Sequence, residues 1–308
     1  MSRIYDALQR ADLERKEAQE TEAPKVAEPF VAPGAEELPP VKTDVNLDKI
    51  ALHPWNPSIS SLPTLGDRGE SIEQFRGLRS QIYQFRDQGP LKTILVSSGM
   101  PAEGKTFVAA NLAMSLARNE NNRILLIDAD LRGPSLHSIL GAPKTPGVTE
   151  YLAGEAEIQD ILQRNQNRRM VQPGFSRIMP NLTFIPAGAG GDNSSELAAN
   201  HRMEKLVAAL APHFDWIMID TPPALAFADA IDLARAADAV LLVARGATTT
   251  YDIAQRAQAA FSNSRILGFV LNAVKNAPRN TSYYYGYYYG EPDTGSKPSG
   301  RKDKRRLG

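Results

Sequence analysis

From Ser71 to Asn276 the chain alternates between short apolar runs and segments whose apolar positions recur every three or four residues. The runs at 93–97, 123–128, 182–186, 216–220, 239–244 and 266–271 predict strands. Ile72, Phe75, Leu78 and Ile82 fall on one helical face, and segments 105–118 and 203–210 predict further helices. Strands that are apolar on both faces and separated by helices predict a mostly parallel sheet flanked by helices. The expectation is one α/β domain over residues 71–276.

The flanks read differently. Residues 1–18 predict a short helix with a thin stripe of Ile4, Leu8 and Ala11. Residues 19–70 are rich in Pro, Glu and Ala, Pro54, Pro57 and Pro63 among them, and predict a linker. Residues 277–308, with Pro278, Pro292, Pro298 and a basic run at 301–306, predict a disordered tail. A formal net charge of zero gives no basic surplus, so nucleic acid is not an expected partner. With no cysteine, disulfides, thiolate zinc sites and cysteine-held iron–sulfur clusters are excluded. No apolar run reaches about 18 residues and the first ten residues lack a signal-peptide core, so a cytoplasmic location is expected.

Chemistry gathers at strand ends. The first strand runs into Gly99, Met100, Pro101, Ala102, Glu103, Gly104, Lys105 and Thr106, and Phe107 continues into a helix. This is G-x-x-x-x-G-K-[ST] between a strand and a helix, the setting a P-loop NTPase requires. The two glycines let backbone N–H groups curl around phosphate oxygens, and the helix N-terminus adds partial positive charge. Lys105 is expected on the β- and γ-phosphates of ATP, and the Thr106 hydroxyl on Mg²⁺. Two later strands end on carboxylates, one on Asp128 and Asp130 with Arg132 following, the other on Asp220 before Pro223. Ligands of parallel sheets bind beyond the carboxyl ends of strands, so the three motifs can converge. Near the C-terminus stand Tyr283, Tyr284, Tyr285, Tyr287, Tyr288 and Tyr289, six of the chain's ten tyrosines.

Together these motifs resemble the bacterial tyrosine kinases of capsule and exopolysaccharide synthesis. The second motif, three apolar residues then D-x-D-x-R, spans 125–132, and the third, three apolar residues then D-x-x-P, spans 217–223. An E-x-x-R-x-x-R helix matches Glu73, Arg76 and Arg79. The chain departs from the family at Ala102, where glycine is common, and at 191–195, where a Pro-rich run is usual.

The resemblance implies an ATP- and Mg²⁺-dependent autokinase whose phosphoacceptors are the six tail tyrosines. Lys105 and Thr106 would hold phosphates and metal, and Asp220 would help hold the metal. Asp128 would take the proton of the incoming hydroxyl, and Asp130 would support Mg²⁺ or position Asp128. Asn272 matches a position that faces adenine in related ATPases; a strand-end cap is an equal reading. Glu73, Arg76 and Arg79 would assemble a ring, with transfer between subunits. The implied partners are a membrane activator of the polysaccharide co-polymerase type, which would place the protein at the inner membrane, and a tyrosine phosphatase.

Two alternatives stand beside this. One is a kinase-like ATPase that regulates a polysaccharide machine without tyrosine transfer. The other is a partitioning-type ATPase, although such proteins usually carry a lysine where Met100 stands.

Overall fold

Eight strands form a single sheet whose middle is buried on both faces. The computed structural model describes residues 45–58, 60–66, 69–166, 181–191 and 194–274, all within the unit Val41–Gly308. In chain order the first elements are β1 (Ala51–His53), α1 (Glu70–Asp87), β2 (Thr93–Ser98), α2 (Lys105–Ala117) and β3 (Ile124–Asp128). Then come α3 (Leu136–Leu140), α4 (Val148–Ala153), α5 (Ile158–Ile161), β4 (Gln163–Asn165) and β5 (Leu182–Ile185). The chain continues through α6 (Ser194–Ala199), α7 (Arg202–Leu210), β6 (Trp216–Asp220) and α8 (Asp229–Leu233). It closes with β7 (Ala239–Arg245), α9 (Tyr251–Ala260) and β8 (Ile266–Asn272).

The strand order is β1-β4-β5-β3-β6-β2-β7-β8. Every neighbouring pair is parallel except β4 with β5. The six apolar runs recur as β2, β3, β5, β6, β7 and β8. Residues 93–98, 124–128, 182–185 and 216–220 are buried throughout, because helices cover both sides. Alternate side chains of each central strand feed two separate apolar layers. Leu125 and Ile127 of β3 enter one, and Ile124 and Leu126 enter the other.

α2 lies inside the second layer, buried from Val108 to Ala117. Its alanines, Ala109, Ala110, Ala113 and Ala117, allow close approach to β2, β3 and β6. α1 covers it, burying Ile72, Phe75 and Ile82, with Phe75 against Phe107 at 5.8 Å between ring centroids. This stacking fixes the start of α2, and with it the phosphate loop.

The linker expected over 19–70 is corrected in its described part. β1 pairs in parallel with β4, and Trp55, Leu62 and Leu65 are buried. Trp55 meets Phe184 edge-on at 6.0 Å. The Thr64 hydroxyl donates to Asn111 Oδ1 at 2.7 Å, and Asn111 Nδ2 donates to the Ser61 carbonyl at 2.9 Å. Prolines between these anchors stiffen a strap that crosses the apolar layer. The predicted helix at 1–18 and the tail at 277–308 lie outside the described residues.

Candidate active site

β3, β6 and β2 are adjacent, so the ends of all three motif-bearing strands meet. Asp128 and Asp220 are register partners on β3 and β6, and Val96 of β2 pairs with Asp220 on its other side. The loops beyond these strands are also joined. Ala129 N–H donates to the Asp220 carbonyl at 2.8 Å, and Ala224 N–H donates to the Ser98 carbonyl at 2.8 Å. The Thr221 hydroxyl donates to the Val96 carbonyl at 3.0 Å, and the Ser97 hydroxyl to the Pro222 carbonyl at 2.9 Å.

The loop from Gly99 to Gly104 wraps over the start of α2. Gly104 has φ +97°, and a side chain there would also collide with the Asn272 amide. Ala102 has φ +63°, in the left-handed region. The departure from glycine at this position therefore carries backbone strain. Glu103 is buried; its carboxylate accepts Met100 N–H at 2.8 Å and the Thr249 hydroxyl. Arg245 Nη1 donates to the Ala102 carbonyl at 3.1 Å. Met100 itself is exposed, as is Pro101.

Asn272 Nδ2 donates to the Glu103 carbonyl at 3.0 Å. Its side chain ties the end of β8 to the loop. It also lines a cavity of about 580 Å³ with Phe75, Leu78, Phe107, Val108 and Phe269.

Four ionisable groups meet at the centre. Lys105 Nζ lies 2.7 Å from Asp130 Oδ2 and 3.4 Å from the Thr106 hydroxyl. Burial works against the ammonium, but Asp220, Asp130 and Asp128 outweigh it, and the Lys105 pKa lies above its ordinary value. Asp130 Oδ1 accepts Gly133 N–H at 2.9 Å, so both of its oxygens are engaged. Asp128 is fully buried and accepts N–H bonds from Asp130 at 3.3 Å and Leu136 at 3.1 Å. Burial, then the Asp220 charge, push its carboxyl well above the usual range.

Asp220 differs. Neither of its oxygens has a hydrogen-bond partner of standard geometry. Burial raises its pKa to about 6, against the opposing pull of Lys105, the Thr106 hydroxyl and the Thr221 N–H. A buried carboxylate left so open is costly unless a cation completes it. Thr106 and Asp220 together suit Mg²⁺, which takes one or two protein oxygens besides phosphate oxygens and water. Among the described residues no three His, Cys, Asp or Glu side chains cluster as a metal site of their own.

Motif reading missed two supports. One is the Glu103–Thr249 contact, which braces the loop from the turn after β7. The other is what holds Arg132, the last residue of the second motif: its Nε donates to Asp229 Oδ2 at 2.8 Å and its guanidinium lies 4.4 Å from the Phe227 ring centre. Arg132 also meets Ser195, which donates to Asp229 Oδ1 at 2.9 Å. Arg132 thus fastens the second motif to the segment following the third. Neither partner has a spacing signature, because both come from distant sequence.

The other expected residues lie elsewhere. Glu73 and Arg76 pair at 3.2 Å on the exposed side of α1. Arg79 instead donates to the Ser115 carbonyl at 2.6 Å, and burial lowers its pKa. Tyr283, Tyr284, Tyr285, Tyr287, Tyr288 and Tyr289 lie outside the described residues.

A mostly parallel sheet with a glycine-hinged loop opening a buried helix, and carboxylates closing the adjacent strands, defines a P-loop ATPase. Residues 91–255 match the AAA domain family. The tyrosine-protein kinase YwqD of Bacillus subtilis is 31% identical over 202 residues, covering 65% of this chain and 80% of that protein. The chain belongs to the bacterial tyrosine kinase family. The putative tyrosine-protein kinase EpsB of Ralstonia solanacearum is 37% identical over 207 residues, 66% of this chain, but those are only 26% of that longer relative. The kinase domain of the Escherichia coli tyrosine kinase ETK superposes with a TM-score of 0.59 at 32% identity, covering 70% of this chain and 80% of that one. No helix among the described residues is long and apolar enough to cross a membrane.

Proposed function

We propose that this chain is an ATP- and Mg²⁺-dependent protein-tyrosine autokinase of an exopolysaccharide or capsule system, acting on its own residues 283–289. The observation that carries the reading is the buried Asp220 carboxylate, short of hydrogen bonds, beside Lys105, Thr106 and Asp128. It provides a cation site at the mouth of a phosphate loop, with a second carboxylate one strand away.

In this mechanism the backbone N–H groups of residues 102–107 and the Lys105 ammonium hold the polyphosphate, and the cavity beside Phe107 and Asn272 takes adenine. Thr106 and Asp220 would hold Mg²⁺, which when bound would offset charge on the phosphate oxygens. Asp130, held by Lys105 and Gly133, steadies Asp128 through its backbone N–H. Asp128 receives the phenolic proton, and its raised pKa brings it nearer the range of a base working at neutral pH. The remaining catalysis is positioning and charge neutralisation.

The exposed Glu73 and Arg76, with Arg79, serve contact between copies. A membrane activator of the co-polymerase type would hold the kinase at the inner membrane, and a phosphatase would reset the tail. EpsB, YwqD and ETK bear tyrosine-kinase names, which supports transfer to tyrosine over simple hydrolysis.

The test is incubation with labelled ATP and Mg²⁺ followed by peptide mapping. Label within residues 283–289 that is lost in Lys105→Met supports the reading. ATP hydrolysis with no label on tyrosine overturns it.

A further inference from the structure

We propose that Tyr251 is a phosphoacceptor of this kinase, separate from residues 283–289; the proposal rests on the tyrosine-kinase reading above. Three tyrosines lie among the described residues, and two have their rings packed into the fold. Tyr151 is 1% exposed, beneath the Arg202 guanidinium at 5.0 Å. The Tyr83 hydroxyl accepts a hydrogen bond from Asn122 at 3.0 Å, and its ring packs on Trp216. Tyr251 is 83% exposed, the most exposed large apolar or aromatic side chain of the described chain.

Its setting suits an added phosphate. Tyr251 is the first residue of α9, a ten-residue helix capped by the Thr250 hydroxyl, which accepts Ile253 N–H. The N-terminal turn of a helix favours negative charge. A phosphotyrosine would bring about −1.5 to −2 charges there. The acidic neighbour on that turn, Asp252, is met by Arg256 at 4.0 Å.

The position also belongs to the nucleotide site. Thr249, two residues before it, bonds the buried Glu103 of the phosphate loop. Arg245 reaches the Ala102 carbonyl. Ile253, two residues after it, stands against Gly99, 3.0 Å from where a Cβ would sit. A charge added at Tyr251 is therefore placed on the turn that braces the loop holding ATP.

Because the hydroxyl projects outward from a fixed helix start, the donor is the site of a second copy. In that step the Tyr251 oxygen bonds the γ-phosphorus and the bond from that phosphorus to the β,γ-bridging oxygen breaks. ADP leaves, and the phenolic proton passes to Asp128 of the donor copy.

The experiment uses the full chain with all six tail tyrosines changed to Phe. It is incubated with ATP and Mg²⁺, and it is also isolated from its own cells; both samples are read by intact mass and peptide mapping. The expected result is a single added phosphate on Tyr251, absent when Tyr251→Phe or Lys105→Met is added. If the unaltered chain is labelled on its tail while Tyr251 carries no phosphate in either sample, the proposal is overturned and the kinase reading stands. If the unaltered chain takes no phosphate on any tyrosine, both fall.

Discussion

The Lys105 ammonium sits 2.7 Å from the Asp130 carboxylate, with side-chain exposures of 14% and 7%. The lysine proposed to meet the triphosphate is already paired, and Asp220 and Asp128 also hold it positive. It is both part of the nucleotide site and the counter-charge of a buried acidic cluster.

Lys105→Met should therefore do two things at once. It should abolish nucleotide-dependent phosphate transfer, and it should destabilise the nucleotide-free chain by about 3–5 kcal/mol, because buried carboxylates lose their cation. Urea unfolding of both proteins without nucleotide gives the second number. An unchanged midpoint would mean that the ion pair contributes nothing to the resting fold.

Asp220 should leave a signature in the dependence of stability on pH. Its folded pKa of about 6 lies above the ordinary 3.8, so between these values the folded chain binds more protons than the unfolded one. Stability then falls as pH rises from about 4 to 6, by on the order of 1–3 kcal/mol, and levels above that. Asp128, shifted the same way, contributes a fall of the same sign. Asp220→Asn should flatten this part of the curve in melts of the nucleotide-free protein. Mg²⁺ with ADP should raise Tm more at pH 7.5 than at pH 5.5, since proton and cation compete for the same oxygens.

Ala102 offers a gain of stability. At φ +63° it holds a conformation that costs a side chain about 1–2 kcal/mol. Ala102→Gly removes that strain but frees the unfolded chain, for a net gain of about 0.5–1 kcal/mol. Gly104→Ala should act in the opposite sense, since Asn272 occupies the space, and ADP binding should be lost with it. Isothermal titration and denaturation on the two variants check both directions.

Arg76 and Arg79 should separate. Arg76 pairs with exposed Glu73 on its own helix, so Arg76→Ala should change stability by less than about 0.5 kcal/mol. Arg79→Ala removes the bond to the Ser115 carbonyl and should cost about 1–2 kcal/mol. If both arginines also serve assembly, light scattering will show a smaller mass for each. A large stability loss in the Arg76 variant would contradict the assignment.

The apolar runs made the central sheet legible, because a strand buried on both faces has to be apolar throughout. β1 and β4 were not legible: Ala51–His53 and Gln163–Asn165 are three-residue strands of mixed polarity at or next to the sheet edge. The strap through Trp55 and Leu62 was hidden by its prolines, which signal irregular backbone whether or not that backbone is packed. At the site, the loop and the three aspartates could be read from motif and strand context. What separates the aspartates could not be. Asp130 is saturated by Lys105 and Gly133, whereas Asp220 is left open, and this difference depends on which backbone amides the fold delivers. Asn272 was placed near the nucleotide by position, but its bond to the Glu103 carbonyl needed coordinates.

The sheet is also a spacer. β1 and β8 are its two outermost strands, and seven steps of about 4.8 Å set them roughly 34 Å apart. The described chain enters beside one rim and leaves from the other. The whole width of the sheet therefore stands between the first strand and the last.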